Sequence, residues 1–117
     1  MASKNLKIIK PWGYEEIFAN NEKYIGKFIF IKEGGRLSRQ YHVQKDESIT
    51  VLSGVVSVEY GEKANDVLIM EPGYSARIKP GTVHRFCASS GDVLLVEVST
   101  PEMDDVVRLE DDYGRSV

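Results

Sequence analysis

The chain contains two histidines, and the chemistry open to it depends on what stands beside them. His42 lies in RQYHVQKDES, residues 39–48, with Gln44 two positions on and Glu47 three beyond that. Imidazole, carboxamide and carboxylate groups offer nitrogen and oxygen donors. The one cysteine, Cys87, makes neither an internal disulfide nor a cysteine-rich zinc site, so any ion held here has nitrogen and oxygen ligands. The same stretch also fits an ordinary strand. From Arg36 to Gln44 a period of two places Arg36, Ser38, Gln40, His42 and Gln44 on one face, with Leu37, Arg39, Tyr41 and Val43 on the other. Locally, then, the wall of a metal site and the polar face of a strand are both open readings.

The second histidine sharpens the choice. His84 follows Gly81 by three residues in GYSARIKPGTVHRF, and Gly54 follows Glu47 in a turn, so both histidines fall at strand positions bracketed by glycine turns. The elements that carry them are short. Apolar or alternating segments occur at 14–18, 23–32, 36–43, 48–53, 55–60, 66–70, 74–79, 83–88, 92–98 and 106–110. Between them lie EGG, SGV, GEKAND, EPG, KPG, SSGD and TPEMDD, rich in the residues turns require. No long segment has helical spacing, although EMDDVVRLEDD could start a short helix. The pattern predicts an all-β single domain over residues 1–117, closed as a β-sandwich or jelly-roll barrel.

Composition agrees and removes whole classes of function. Hydrophobic residues make up 42% and charged residues 28%, as in a globular domain with one core. A net charge of −3 argues against a phosphate-backbone binder, so no nucleic-acid partner is expected. No apolar run reaches membrane-spanning length, and a cytoplasmic protein with no membrane partner is expected.

The spacing G-x6-H-x-Q-x2-E-x6-G from Gly35, followed by G-x7-G-x2-H from Gly73, resembles the two motifs of the cupin superfamily. That resemblance implies a double-stranded β-helix, a jelly-roll barrel that usually holds one metal ion through three histidines and a glutamate. KPWGYEE (10–16), GRLSRQYHVQKDES (35–48), VLSGVVSV (51–58), KPGTVHRF (79–86) and DDVVRLEDDYGR (104–115) are together similar to the C-terminal cupin domain of type II mannose-6-phosphate isomerase/mannose-1-phosphate guanylyltransferase. The blocks keep the family's order along almost the whole chain. A length of 117 residues leaves no room for a nucleotidyltransferase domain, so guanylyl transfer is not expected.

Carried over by position, the resemblance makes His42, Gln44, Glu47 and His84 the metal ligands. Such donors suit a divalent zinc, manganese, iron or nickel ion. Four protein ligands on an octahedral ion would leave two positions for a sugar's carbonyl and neighbouring hydroxyl. The implied reaction is aldose–ketose isomerisation of a sugar or sugar phosphate, with a base moving a proton between adjacent carbons. Arg36, Gln40 and Arg85 are the candidate substrate-binding residues, the arginines by forked hydrogen bonds to phosphate or sugar oxygens. The residues name no base.

Three departures bear on activity. His42-Val43-Gln44 stands where the family usually has three consecutive histidines, Ser48-Ile49 where it commonly has His-Trp, and Lys79 where proline is usual. A carboxamide donates more weakly than an imidazole, so the ion is expected to bind weakly or not at all. One alternative function is therefore a non-catalytic sugar-binding or regulatory cupin with a degenerate site. Another is a metal-dependent oxygenase or lyase, since two histidines and one carboxylate also suit iron(II) and oxygen chemistry. Trp12 reads as a packing anchor or a sugar-stacking face, Cys87 as a small buried residue pointing away from the cavity, and Tyr113 and Arg115 as a closure of the barrel mouth or a tether for the C-terminus. KFIFIK and DVLLVEV, apolar on both faces, suggest uncovered sheet surface and a homodimer.

Overall fold

A computed structural model describes residues 1–115. Those residues form eleven strands: β1 (Leu6–Lys10), β2 (Gly13–Asn20), β3 (Ile25–Ile31), β4 (Arg39–Tyr41), β5 (Glu47–Ser53), β6 (Val56–Tyr60), β7 (Asp66–Met70), β8 (Ser75–Ile78), β9 (His84–Cys87), β10 (Val93–Ser99) and β11 (Val107–Glu110). They make two antiparallel sheets, one in the order β1-β2-β3-β10-β5-β8 and the other in the order β11-β4-β9-β6-β7. Strands distant in sequence lie side by side in each, as in the expected double-stranded β-helix. The acidic segment before β11 forms no helix.

The alternation that makes these strands also sorts the interior into an apolar end and a polar end. On β10 the inward row runs Val93, Leu95, Glu97, and on the adjacent β5 it runs Val51, Ile49, Glu47, with every one of these residues buried. The rows run in matching register, Leu95 opposite Val51 and Glu97 opposite Ile49. At the apolar end they meet Trp12, Ile29, Ile31, Val56, Val58 and Phe86 in one cluster. Each aliphatic side chain fully buried there contributes about 1.5–3 kcal/mol of transfer free energy. Stability thus comes mainly from one end of the barrel, which leaves the other free to carry charged groups.

Three local differences from the sequence reading have physical causes. β1 is an additional strand, an edge held by its hairpin with β2 and with Leu6 and Ile9 exposed, so it lacks the buried row that would announce it. The segment 36–43 is a strand only over Arg39–Tyr41, preceded by an isolated bridge from Arg36 to Cys87 and followed by a bend at Val43 and Gln44. KFIFIK and DVLLVEV lie next to each other within the larger sheet and not at its edge. Val98 at the end of DVLLVEV is exposed, and Val67, Leu68 and Ile69 form an exposed apolar run on edge strand β7. No helix among the described residues is long and apolar enough to cross a membrane.

Candidate metal centre

Two histidines and one glutamate converge at the polar end of the barrel. His84 opens β9 on the smaller sheet, His42 follows β4 on the same sheet, and Glu47 opens β5 on the larger one, so the group bridges the two layers. One ligand atom from each lies within 4.8 Å of the others, and all three residues are at most 5% exposed. The two histidine segments are tied by a backbone bond from Gly81 N–H to the carbonyl of His42, 2.7 Å long. Gly81 has a φ of 81°, a left-handed turn conformation that glycine adopts without steric cost. That turn delivers His84 into the interior.

Hydrogen bonds fix the face each imidazole presents. His42 Nδ1 is 2.5 Å from the carbonyl of Asp105 and His84 Nδ1 is 2.8 Å from the carbonyl of Thr82. A carbonyl only accepts, so each Nδ1 carries a proton, and in the neutral ring each Nε2 presents a lone pair. Both Nε2 atoms aim at Glu47 Oε1, from 3.6 Å and 3.3 Å. Neither nitrogen nor that oxygen has a hydrogen-bond partner, although all three are buried. Three converging acceptors without a donor are costly in a folded interior. A divalent cation would satisfy all of them at once, so these residues fit the ion that the cupin resemblance implies.

A buried charge chain supports Glu47 from behind. Lys45 Nζ lies 3.1 Å from Glu47 Oε2 and 3.1 Å from Glu97 Oε2, and Lys27 lies 3.7 Å from Glu97 and 3.2 Å from Glu15. Burial works to lower the Lys45 value, but the Glu97 and Glu47 carboxylates outweigh it and hold the ammonium charged. Burial works to raise Glu47, and its close polar neighbours His42, His84 and Glu97 with the Lys45 charge bring it well below the ordinary carboxylate range. Burial first, then the Glu47 charge, raises Glu97. The negative charge of the pair therefore concentrates on Glu47, the carboxylate that faces the imidazoles.

Asp105 decides which residues of the His42 segment face inward. Its carboxylate accepts from the backbone N–H groups of Val43, Gln44 and Lys45 at 3.0, 2.7 and 2.9 Å, and those bonds lower its pKa. Three consecutive N–H groups converging on one carboxylate require a curled chain, so strand alternation ends at His42. Lys45 turns in and Gln44 turns out. The expectation that Gln44 is a ligand is corrected accordingly: it is exposed, while His42, Glu47 and His84 are buried.

A cavity of about 330 Å³ adjoins the centre, its wall including Trp12, Ser38, Gln40, His42, Lys45, Arg108 and Arg115. Gln40 lines it, its amide oxygen accepting from Ser38 Oγ at 2.5 Å. Arg36 and Arg85 do not line it. Arg36 binds Asp112 through two bonds of 2.5 and 2.9 Å, and its backbone bridges to Cys87 where the strand has already bent. Arg85, with opposite parity to His84, donates to the carbonyl of Leu37 at 2.7 Å and to Asp112 at 3.0 Å. Both expected roles are replaced by a structural one, anchoring the C-terminal DDYGR segment. Cys87 is buried as expected, and burial pushes its thiol up to about 11. Trp12 is 1% exposed and packs in the core, its rim reaching the cavity. Tyr113 packs against that core while Arg115 forks onto Asp111.

Lys45, Glu97, Asp105 and Arg108 were not legible as site residues. Lys45 was in view within QKDES, but only the turn reveals its direction. The other three come from segments that contain no histidine.

A family model described as mannose-6-phosphate isomerase C-terminal matches residues 1–111. The xanthan biosynthesis protein XanB of Xanthomonas campestris pv. campestris is 34% identical over 119 residues, spanning 98% of this chain and 25% of that protein. A mannose-1-phosphate guanylyltransferase of Salmonella muenchen is 28% identical over 115 residues, spanning 95% of this chain and 24% of the relative. The chain thus spans about a quarter of the length of the curated relatives it matches. Among solved structures, a Klebsiella pneumoniae protein with a double-stranded beta-helix domain superposes with a TM-score of 0.71 at 17% identity, covering 95% of this chain and 89% of that one. That likeness concerns the fold.

Proposed function

This chain belongs to the mannose-6-phosphate isomerase C-terminal family, and from that premise we propose that it is a metal-dependent sugar or sugar-phosphate isomerase of the cupin class. The observation that carries the reading is the convergence of three buried acceptors, His42 Nε2, His84 Nε2 and Glu47 Oε1, beside a cavity of about 330 Å³, a size suited to a small polar ligand. His42, Glu47 and His84 would hold a divalent ion. Bound there, it would supply Lewis-acid polarisation of a substrate carbonyl. The protein's own part is orientation and charge: Gln40 offers an amide to a sugar hydroxyl, and Lys45 keeps Glu47 ionised while presenting an ammonium to the cavity. Lys45 is held protonated, so it acts as a donor and not as the base. The test is a coupled assay of mannose 6-phosphate conversion to fructose 6-phosphate with zinc, manganese, iron(II) or nickel added in turn. Metal-dependent turnover is the expected result, and a flat trace with every metal removes the proposal.

A second reading, a non-catalytic sugar-binding cupin, is favoured by the outward position of Gln44, which leaves three protein ligands. It predicts saturable binding without turnover. Self-association is proposed as well, motivated by the exposed Val67, Leu68 and Ile69 on edge strand β7. Light scattering that shows only monomer would remove it.

A further inference from the structure

We infer that Arg108 is the anion-recognising residue of the cavity, fixing the charged end of a ligand whose polar end reaches His42, Glu47 and His84. The inference rests on the sugar-phosphate reading of that site and adds to it the residue that discriminates a charged sugar from a neutral one.

The register of the smaller sheet provides the placement. Arg108 on β11 is paired with Gln40 on β4, and Gln40 is paired with His84 on β9. Directly opposed residues share a sheet face, so Arg108, Gln40 and His84 form one cross-strand row. Two strand spacings separate the ends of that row, about 10 Å between backbones. Arg108 and Gln40 line the same cavity as His42. A ligand that chelates at one end and carries an anion at the other, as an extended six-carbon sugar phosphate does, has the dimensions to span the row.

Charge pairing singles out the residue. The wall also contains Lys10, Lys27, Lys45 and Arg115, but Lys27 lies between Glu15 and Glu97, Lys45 between Glu47 and Glu97, and Arg115 on Asp111. Lys10, at the end of β1, is a single ammonium without a fork. Of the acids in the wall, Glu15 is engaged by Lys27, and Asp104 is exposed. Arg108 makes no ion pair among the described residues, and its Nε is buried without a hydrogen-bond partner. Arg108 is half-buried, and a guanidinium whose Nε is shut off from water without a counter-charge is unfavourable. Its planar fork matches a phosphate or carboxylate terminus.

Calorimetry on the full chain, with and without zinc, tests this with fructose 6-phosphate, glucuronate and fructose as probes. The expected result is that Arg108→Gln weakens fructose 6-phosphate binding by roughly 10- to 100-fold, that Arg108→Lys falls between, and that fructose binding is unchanged. Arg36→Gln, outside the cavity, should leave all three unchanged. The glucuronate arm shows whether a carboxylate serves as well as a phosphate. Modification of the unaltered protein by phenylglyoxal, read by mass spectrometry, needs no variant to fold: Arg108 should be protected by fructose 6-phosphate and not by fructose. Equal affinity of Arg108→Gln and the parent for fructose 6-phosphate, no preference of the parent for it over fructose, or no protection of Arg108 would each overturn the inference. Turnover is a separate readout. Loss of binding in Arg108→Gln with no turnover by the parent removes the isomerase reading alone, whereas turnover that Arg108→Gln leaves intact removes this one alone.

Discussion

Strand β9 separates two polar assemblies, one buried inside the barrel and one partly exposed outside it. On its inner face His84 joins His42 and Glu47, and on its outer face the next residue, Arg85, joins Arg36, Arg39, Glu59, Glu110 and Asp112. In the outer group each guanidinium has a carboxylate partner, with Arg39 donating to Glu59 at 2.7 Å and to Glu110 at 3.0 Å. In the inner group three acceptors face one another without a donor. Charge that is balanced by neighbouring residues fastens segments together. Acceptors left without a donor in an enclosed space mark a place for something else, and adjacent residues of one strand can do one job each.

The contrast breaks most sharply at the inner group. Replacing His84 with Ala removes one of the three convergent acceptors while leaving the apolar cluster intact. Bound zinc or manganese should weaken by more than the roughly 10- to 100-fold typical of changes outside the ligand set, with the melting temperature of the metal-free protein nearly unchanged. Metal content and a thermal melt measure the two. Arg85→Met should do the reverse, lowering stability by about 1.5–3 kcal/mol through lost charged hydrogen bonds and leaving metal affinity intact. If Arg85→Met releases the metal and His84→Ala unfolds the barrel, the division between the two faces is wrong.

Asp105 offers a subtler test because it shapes the inner group without belonging to it. Asp105→Ala removes the acceptor for three N–H groups, freeing the turn that orients His42 and Lys45. A metal affinity reduced by about tenfold is expected, read by competition with a chelating dye. Gln44→His should give no gain in that assay, since residue 44 faces outward. A clear gain would place the new imidazole at the ion and contradict the turn.

The smallest effect concerns acid. Hydrogen bonds and charge from Arg115 hold Asp111 down to about 2, below its ordinary 3.8. A depressed carboxylate stabilises the fold fully above its unfolded value and ceases to do so as pH falls through its folded one. The melting temperature should therefore decline between pH 3.8 and about 2, and Asp111→Asn should flatten that part of the profile.

Much of this molecule is visible in its chain. Val51, Ile49 and Glu47 on alternate positions and glycine turns before His84 and after Glu47 determine short strands and an all-β barrel, whereas His42, Glu47 and His84 are singled out, with Gln44, only by the family resemblance. The strands are consequences of local periodicity, which a sequence displays directly. The fate of Gln44, Arg36, Arg85 and Arg108 was decided only in three dimensions. A carboxylate from residue 105 curls the chain at 43–45, Asp112 captures two arginines, and strand pairing sets Arg108 two places from His84. Each of these partners is brought from far along the chain, and a period of two says which side of a strand a residue takes only while the strand continues.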